Sequence, residues 1–377
     1  MPRSSLGTRE ERAARWDAEE DLARGATRSK IWVGIVVLGL LAAFALDRAV
    51  DTPLSSARAV HDACGGALHA DEVAQYDGET ETTEQTERYN AELGRYYCEL
   101  GDGDKVVLAL DAAVDRAGVS QVVGGLESAD RLTPSLAGVP GWSDERRITL
   151  LPPCPGAGRD IDGDTARAAI GVEGAWRPDE DVVSEDALAI WRSAIRAANS
   201  ALERLGCETE PLSLPRAASG PWTVPFSRVG ETGCRQLAGL PLRGKNTPVR
   251  VADVVPGDAE GAPLDHCVVE LRSRAGESGR VSLRFSRAVE VLVERLGREA
   301  GIGSEGSKGE SGRWLPALGK YYAYGTARCG GERVGYLVTS NPQEELDPGV
   351  LRSSLAAYAQ ADTRRLGCTG LRLPGEA

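Results

Sequence analysis

The chain has 377 residues, which is long enough for two ordinary domains, and 41% of them are hydrophobic, which is enough to build packed cores. Beyond residue 30 it carries 37 basic and 50 acidic residues, and this negative balance disfavours nucleic acid and anionic lipid headgroups as partners of that region. Arginine outnumbers lysine 39 to 5, a bias typical of GC-rich genomes.

The first apolar segment covers residues 31–46 and reads IWVGIVVLGLLAAFAL, without a charge. At 1.5 Å per residue it extends roughly 24 Å, and Lys30 and Arg48 can reach outward to complete the crossing of a ~30 Å hydrocarbon layer. We therefore predict a transmembrane helix within residues 31–50. A buried core helix is the alternative, but such a helix normally carries a polar stripe, and this segment has none.

Residues 1–30 contain Arg24, Arg28 and Lys30 near the apolar segment, so the positive-inside rule predicts a cytoplasmic tail and an exported remainder. This tail could form a docking helix around Trp16 or a solvated arm. Ala43-Phe44-Ala45 fits the small-x-small rule for signal cleavage. We favour a retained anchor, because the preceding segment is long and acidic and no polar spacer separates Ala43 from the apolar run.

Eight cysteines follow the predicted span, and this even number on the exported side predicts a disulfide framework. A zinc site is disfavoured because there is no CxxC pair and the chain has three histidines. The cysteines are Cys64, Cys98, Cys154, Cys207, Cys234, Cys267, Cys329 and Cys368.

The cysteine spacings repeat in two halves of the chain. The first two cysteines of each half are 34 and 33 residues apart, the next gaps are 56 and 62, and the last are 53 and 39. The fourth cysteine of each half closes the same tetrapeptide, RLGC, at 204–207 and at 365–368. We interpret the exported part as an internal duplication, with a first module at residues 51–215 and a second at 216–377.

Four cysteines per module allow three pairings, between which sequence alone does not choose. We favour pairing the first with the second and the third with the fourth, since the matched gaps of 34 and 33 indicate a constrained loop used twice. The expected bonds are Cys64–Cys98, Cys154–Cys207, Cys234–Cys267 and Cys329–Cys368.

The fold class predicted for each module is α+β, a small antiparallel sheet with one long helix. Apolar periodicity predicts helices at 186–206 and at 349–367, the second with Asp347 as its N-cap. Short apolar runs between glycine-rich turns predict the strands. These runs lie at 95–100, 105–110, 147–152, 266–272, 280–286, 320–328 and 333–339, and loops are expected at 77–88, 255–263 and 301–312.

Motifs of catalysis or of cofactor binding are not found in the sequence, so we expect no cofactor, no metal and no catalytic set. The alternating acids Asp160, Asp162 and Asp164 resemble a calcium loop, but the glycine and glutamate that an EF-hand needs are missing. His61 and His69 lie too far apart on a helix to share a metal ion.

The layout of a short tail, one span and tandem modules with the motifs TLLPPC and ALERLGC resembles single-pass envelope proteins of actinobacteria with tandem cysteine-containing modules. The resemblance covers the whole chain and implies location and modular construction. It implies no activity.

These observations together predict a protein of the cell membrane, anchored through residues 31–50, whose exported modules bind an envelope protein or ligand, or help to organise the envelope, without catalysis. The alternative is an envelope hydrolase that uses carboxylates in a cleft between the modules.

Overall fold

A computed structural model of the protein describes most of the region that follows the predicted span. No helix in the described part is long and apolar enough to cross a membrane. Residues 1–50, which include the predicted tail and span, lie outside it. The described residues are 64, 84–102, 105–125, 136, 138–143, 147–158, 166–174, 185–214, 223–240, 249–255, 262–272, 280–299, 315–340 and 346–375.

The first module is an antiparallel sheet of six strands in the order β1-β2-β3-β6-β5-β4. A short helix, α1, follows β3, and a long helix, α2, follows β6. The elements are β1 (Glu84–Asn90), β2 (Arg95–Asp102), β3 (Lys105–Ala113), α1 (Arg116–Val122), β4 (Gly141–Ser143), β5 (Arg147–Leu150), β6 (Ala169–Gly174) and α2 (Glu185–Arg204).

The second module repeats this plan, with the central order β8-β9-β10-β13-β12-β11, a helix α3 after β10 and a long helix α4 after β13. Two short strands extend the sheet to eight, since β7 pairs with β8 and β14 pairs with β12. The elements are β7 (Thr223–Pro225), β8 (Val249–Val255), β9 (Leu264–Arg272), β10 (Arg280–Val289), α3 (Glu290–Glu299), β11 (Ala317–Leu318), β12 (Tyr322–Cys329), β13 (Glu332–Ser340), α4 (Pro348–Leu366) and β14 (Thr369–Arg372).

Successive side chains along the strands point to opposite faces of each sheet, and both faces are buried. In β3, Leu108 and Leu110 contact the core beneath α2, whereas Ala113 belongs to a different apolar cluster on the other side of the sheet. In β10, Phe285 faces the core beneath α4 and Ala288 faces that same second cluster. A sheet covered on both faces needs apolar residues at successive positions, which explains why several strands read as continuous apolar runs.

The two long helices match their predicted bounds closely. Leu188, Trp191, Ile195 and Leu202 are buried along one face of α2, as the periodicity predicts. Helix α4 begins where predicted, because the Asp347 side chain accepts a hydrogen bond from the Gly349 backbone N–H. Both helices end at the glycine of RLGC, where a positive φ (71° at Gly206, 66° at Gly367) turns the chain toward the fourth cysteine.

The loop prediction for 77–88 was partly wrong, because residues 84–90 form the edge strand β1. The sequence EQTERYN is polar, but it pairs with β2 along its whole length, from Glu84 opposite Gly101 to Asn90 opposite Arg95. An edge strand needs apolar residues on only one side, so a polar sequence is compatible with it. The loop predicted at 255–263 agrees with the strand bounds on either side, since β8 ends at Val255 and β9 begins at Leu264.

The modules meet through the second apolar cluster, in which the short helices α1 and α3 contribute equivalent positions. Val122 and Trp142 of the first module pack in one cluster with Leu292, Leu296 and Tyr324 of the second. Burial of these side chains stabilises the contact by about 1.5–3 kcal/mol for each aliphatic group. The described residues therefore place a packed apolar core where the modules meet.

Polar contacts at the edge of this core also join equivalent elements. The Arg167 guanidinium, just before β6, donates two hydrogen bonds of 2.6 Å to the Glu332 carboxylate at the start of β13. Arg295 of α3 donates to the backbone oxygen of Gly124, just beyond α1, at 2.8 Å. Both contacts therefore join equivalent elements of the two modules.

Candidate functional site: a buried polar cluster in the second module

The four disulfides occupy equivalent places in the two modules, and all eight cysteines belong to the described part, in which none is free. In each module one bond joins a residue ahead of the first long strand, β1 or β8, to the second long strand, β2 or β9. The other bond joins Cys154, which follows β5, or Cys329, the last residue of β12, to the residue that follows the long helix. The bonds are the predicted ones, Cys64–Cys98, Cys154–Cys207, Cys234–Cys267 and Cys329–Cys368.

The arginine of each RLGC is held by an acid in its own module. Arg204 forms an ion pair of 2.8 Å with Glu87 of β1 and lies 5.0 Å from the ring centre of Tyr96. Arg365 forms an ion pair of 2.6 Å with Asp362, one turn earlier on α4. The repeated tetrapeptide therefore supplies a helix stop, a disulfide and a cation that anchors the helix end.

Beneath α4, the second module contains a cluster of buried polar side chains, which we call the polar cluster. Asp362 is fully buried, and its Oδ2 lies 3.1 Å from the Arg287 Nε and accepts a hydrogen bond of 3.1 Å from the Tyr336 hydroxyl. Asp265, also fully buried, accepts a hydrogen bond of 2.8 Å from the Gln236 side-chain amide. The polar cluster consists of Gln236, Asp265, Arg287, Tyr336, Tyr358 and Asp362.

The polar cluster contains two acids and one arginine, and Arg365 next to it supplies a second positive charge. Burial lowers the pKa of Arg287, but the carboxylates of Asp265 and Asp362 raise it above its usual value overall, so the guanidinium stays charged. Burial, followed by the nearby carboxylates, raises the pKa of Tyr336 and of Tyr358, so both hydroxyls keep their protons at neutral pH. Two carboxylates thus share the charge of Arg287 and, at the protein surface, of Arg365.

The equivalent positions in the first module are largely apolar. Counting back from the fourth cysteine, Asp362 and Tyr358 correspond to Ala201 and Ala197. Arg287 pairs with Tyr336 across β10 and β13, and the matching pair across β3 and β6 is Ala112 with Ile170. Asp265 corresponds to Tyr96, two residues before the second cysteine. The same helix–sheet contact is therefore built once from apolar groups and once from a charged network.

A second buried polar pair lies on the opposite face of β9 from Asp265. The His266 Nδ1 is 2.8 Å from the Ser286 hydroxyl oxygen, and both side chains are buried. Burial, with a further contribution from the Arg284 charge, lowers the pKa of His266 to about 3. A histidine beside a serine has the composition of a nucleophile–base pair, but burial keeps substrate away from both groups.

Sequence reasoning found the cysteines of this region and did not find the polar cluster. Acidic residues and arginines usually lie at the protein surface, so these residue types do not indicate a buried cluster. A comparison of the two halves of the chain, position by position from their cysteines, could have found it. His61, His69 and the acidic run at 159–165 lie outside the described residues. Within the described part, no group of three or more His, Cys, Asp or Glu side chains could hold a metal ion.

Comparison of the chain with protein-family models, with curated proteins and with solved structures finds no match.

The polar cluster predicts that Asp362→Asn destabilises the protein by about 3 kcal/mol, because the change removes the carboxylate that neutralises a buried guanidinium. The free energy of unfolding, measured by urea titration of the protein at neutral pH, checks this. Glu231→Gln is the matched control, since Glu231 pairs with Arg228 on an exposed surface and its loss should leave stability unchanged. A loss below about 1 kcal/mol for Asp362→Asn would contradict the role given to the cluster.

The lowered pKa of His266 predicts that the folded protein loses stability in acid. Because its folded pKa lies below the ordinary 6.5, the unfolded chain takes up a proton as the pH falls below about 6.5 while the folded chain stays neutral to about 3. At pH 7 the histidine is neutral in both states, so its titration does not affect stability. Below about pH 6.5 the free energy of unfolding decreases by about 1.4 kcal/mol per pH unit. Urea titrations of His266→Gln and of the unchanged protein between pH 7 and 4 should diverge by about 3 kcal/mol. Parallel curves would contradict the assignment.

Proposed function

We propose that the chain is a single-pass membrane protein that displays two disulfide-bonded modules outside the cytoplasm and acts by binding a partner of the cell envelope. The observation that carries the proposal is that all eight cysteines follow the predicted span and are joined in four disulfides. Disulfides persist in oxidising compartments and are rare in the cytosol. The anchor at residues 31–50 stays a prediction from sequence.

Binding is favoured over catalysis by where the reactive side chains lie. The polar cluster and the His266–Ser286 pair are enclosed between secondary-structure elements, so they support the fold and are not presented to a substrate. Catalytic groups must come within hydrogen-bond distance of the atoms that react. Perturbed pKa values mark active sites only when the groups also line a cleft.

The hydrolase alternative needs carboxylates in a cleft between the modules. At that place the described residues form the apolar cluster around Trp142 and Leu292. The carboxylate described at its edge, Glu332, is engaged by two hydrogen bonds from Arg167. A glycosidase needs two carboxyl groups that face a sugar. The described residues where the modules meet give no observation in favour of a glycosidase.

The outer faces of the two modules differ, as expected for binding surfaces with separate roles. The outer face of α2 is partly covered, because Asn199 exchanges hydrogen bonds with the backbone of Leu212 in the segment that follows the helix. The corresponding face of α4 exposes Arg352, Ser353 and Gln360. The segment after α4 instead joins the sheet as β14.

The proposed topology predicts that an enzyme reporter active only outside the cytoplasm gives a signal when fused after Ala377. The same fusion on a chain that lacks residues 31–46 is the control and should be inactive, because it loses the export signal. A tag at the N-terminus should stay in the membrane fraction on the full-length chain. Recovery of a soluble protein that begins at Leu46 would contradict the retained anchor.

The proposed binding role predicts discrete crosslinked products in intact cells. A photoreactive residue is placed at Gln360 on α4 or at Tyr89, which is 50% exposed on β1, so that each module is probed at a described surface position. Ala198, fully buried in α2, is the control and should give no product. Absence of product at both exposed positions, with the protein present at normal levels, would contradict a partner that covers either surface.

A further inference from the structure

One of the four disulfides differs from the others in its access to solvent. Cys329 and Cys368 are both partly exposed, whereas the six cysteines of the other three bonds are buried. The equivalent bond of the first module, Cys154–Cys207, has exposed fractions of 0% and 9% at its two residues. Two disulfides at equivalent positions in similar modules therefore differ in their exposure to solvent.

The structural cause lies in the residues that follow Cys154 and Cys329. In the first module a 3-10 turn, Pro155–Ala157, follows Cys154 and packs on the backbone around Cys207. The contact is so close that a Cβ on Gly156 would lie 1.9 Å from the Gly206 carbonyl oxygen. In the second module the chain passes through Gly330 and Gly331 directly into β13, with Cys329 paired to Glu332. The covering turn has no counterpart there.

Arginines lie beside the exposed bond, and the neighbouring acids Glu332 and Asp362 are each paired with an arginine. Arg328 precedes Cys329, and Arg364 and Arg365 occupy the last turn of α4 before Cys368. Arg328 and Arg364 are exposed, so their charge faces an approaching reagent. The Tyr336 hydroxyl lies 3.7 Å from the Cys329 sulfur and 4.0 Å from the Cys368 sulfur. Partial exposure and nearby cations are the conditions under which cysteine sulfur becomes reactive, because they stabilise the thiolate.

We propose that Cys329–Cys368 is a thiol-exchange site, at which a dithiol nucleophile opens this bond while the other three stay closed. A thiolate of the dithiol attacks one of the two sulfurs, the S–S bond breaks, and its electron pair leaves on the other cysteine as a thiolate, which takes a proton from water. The second thiol of the reagent then displaces the first cysteine. The reagent is oxidised to a disulfide, and Cys329 and Cys368 are reduced to thiols.

Opening this bond has a local consequence. It releases the end of α4 from β12, one and a half turns beyond Asp362 of the polar cluster, and leaves Arg365 and the pairing of β14 with β12 to hold the helix end. The inference goes beyond the proposed function, because it concerns the chemistry of one bond and does not depend on what the modules bind.

The test is limited reduction of the full-length protein in detergent, without denaturant. Dithiothreitol is added for increasing times, free thiols are blocked with N-ethylmaleimide, and the remaining disulfides are then reduced, labelled with iodoacetamide and mapped by mass spectrometry. Maleimide should appear on Cys329 and Cys368 about tenfold faster than on any other cysteine, since access controls the rate of exchange. Faster labelling of another pair, or equal labelling of all four pairs, would overturn the proposal.

Two charge variants test the electrostatic part. Arg364→Gln removes a cation from the last turn of α4 and should slow the opening of the bond severalfold. Arg352→Gln removes an exposed cation from the first part of the same helix and should leave the rate unchanged. Equal rates for the two variants would overturn the claim that the neighbouring arginines activate this bond. Both changes are at exposed positions, so neither is expected to prevent folding.

Discussion

Each long helix is fixed to its sheet by a covalent bond at the residue that follows its last turn. The helix ends at a left-handed glycine, and the next residue is a cysteine bonded to Cys154, which follows β5, or to Cys329, which ends β12. In the chain-entropy model, closing loops of 53 and 39 residues removes about 4 kcal/mol of unfolded-state freedom for each bond. The register of helix on sheet is then set by the bond as well as by the side chains beneath it.

This constraint is present in both modules, and it permits the contrast between the two helix–sheet contacts without requiring it. Apolar packing supplies both stability and register in the first module, where alanines of α2 lie close to the sheet. A buried ion network contributes little net stability, because the cost of removing charges from water offsets their attraction. A helix that is already bonded to the sheet at its end can accept such a network, and α4, with Ser354, Asp362 and Thr363 buried, has done so. Its weak apolar stripe follows from the same substitution.

Sequence periodicity was sufficient for features in which local and global requirements agree. The helix ends at RLGC and the N-cap at Asp347 could be predicted because glycine and aspartate have strong local preferences, and the disulfide pairs because the cysteine spacing is repeated in the two halves. Helix α3 could not, since Val289 ends β10 and Glu290 begins the helix without any glycine or proline between them. The polar cluster was hidden for a different reason. The polar partners that stabilise buried Asp265 and Arg287 are distant from them in sequence. The order of residues along the chain therefore does not show that these groups are close in space.

The apolar contact between the modules also has a consequence for the order in which the protein is made. The first module has all its own strands and disulfide partners once Cys207 has emerged, yet Trp142 and Val122 belong to a core that needs Leu292 and Leu337. Leu337, the later of these two residues, is synthesised about 130 residues after Cys207, which corresponds to on the order of ten seconds of translation. During that interval a finished sheet presents an uncovered apolar face. A chain stopped between the modules would therefore be prone to associate with other copies through this face.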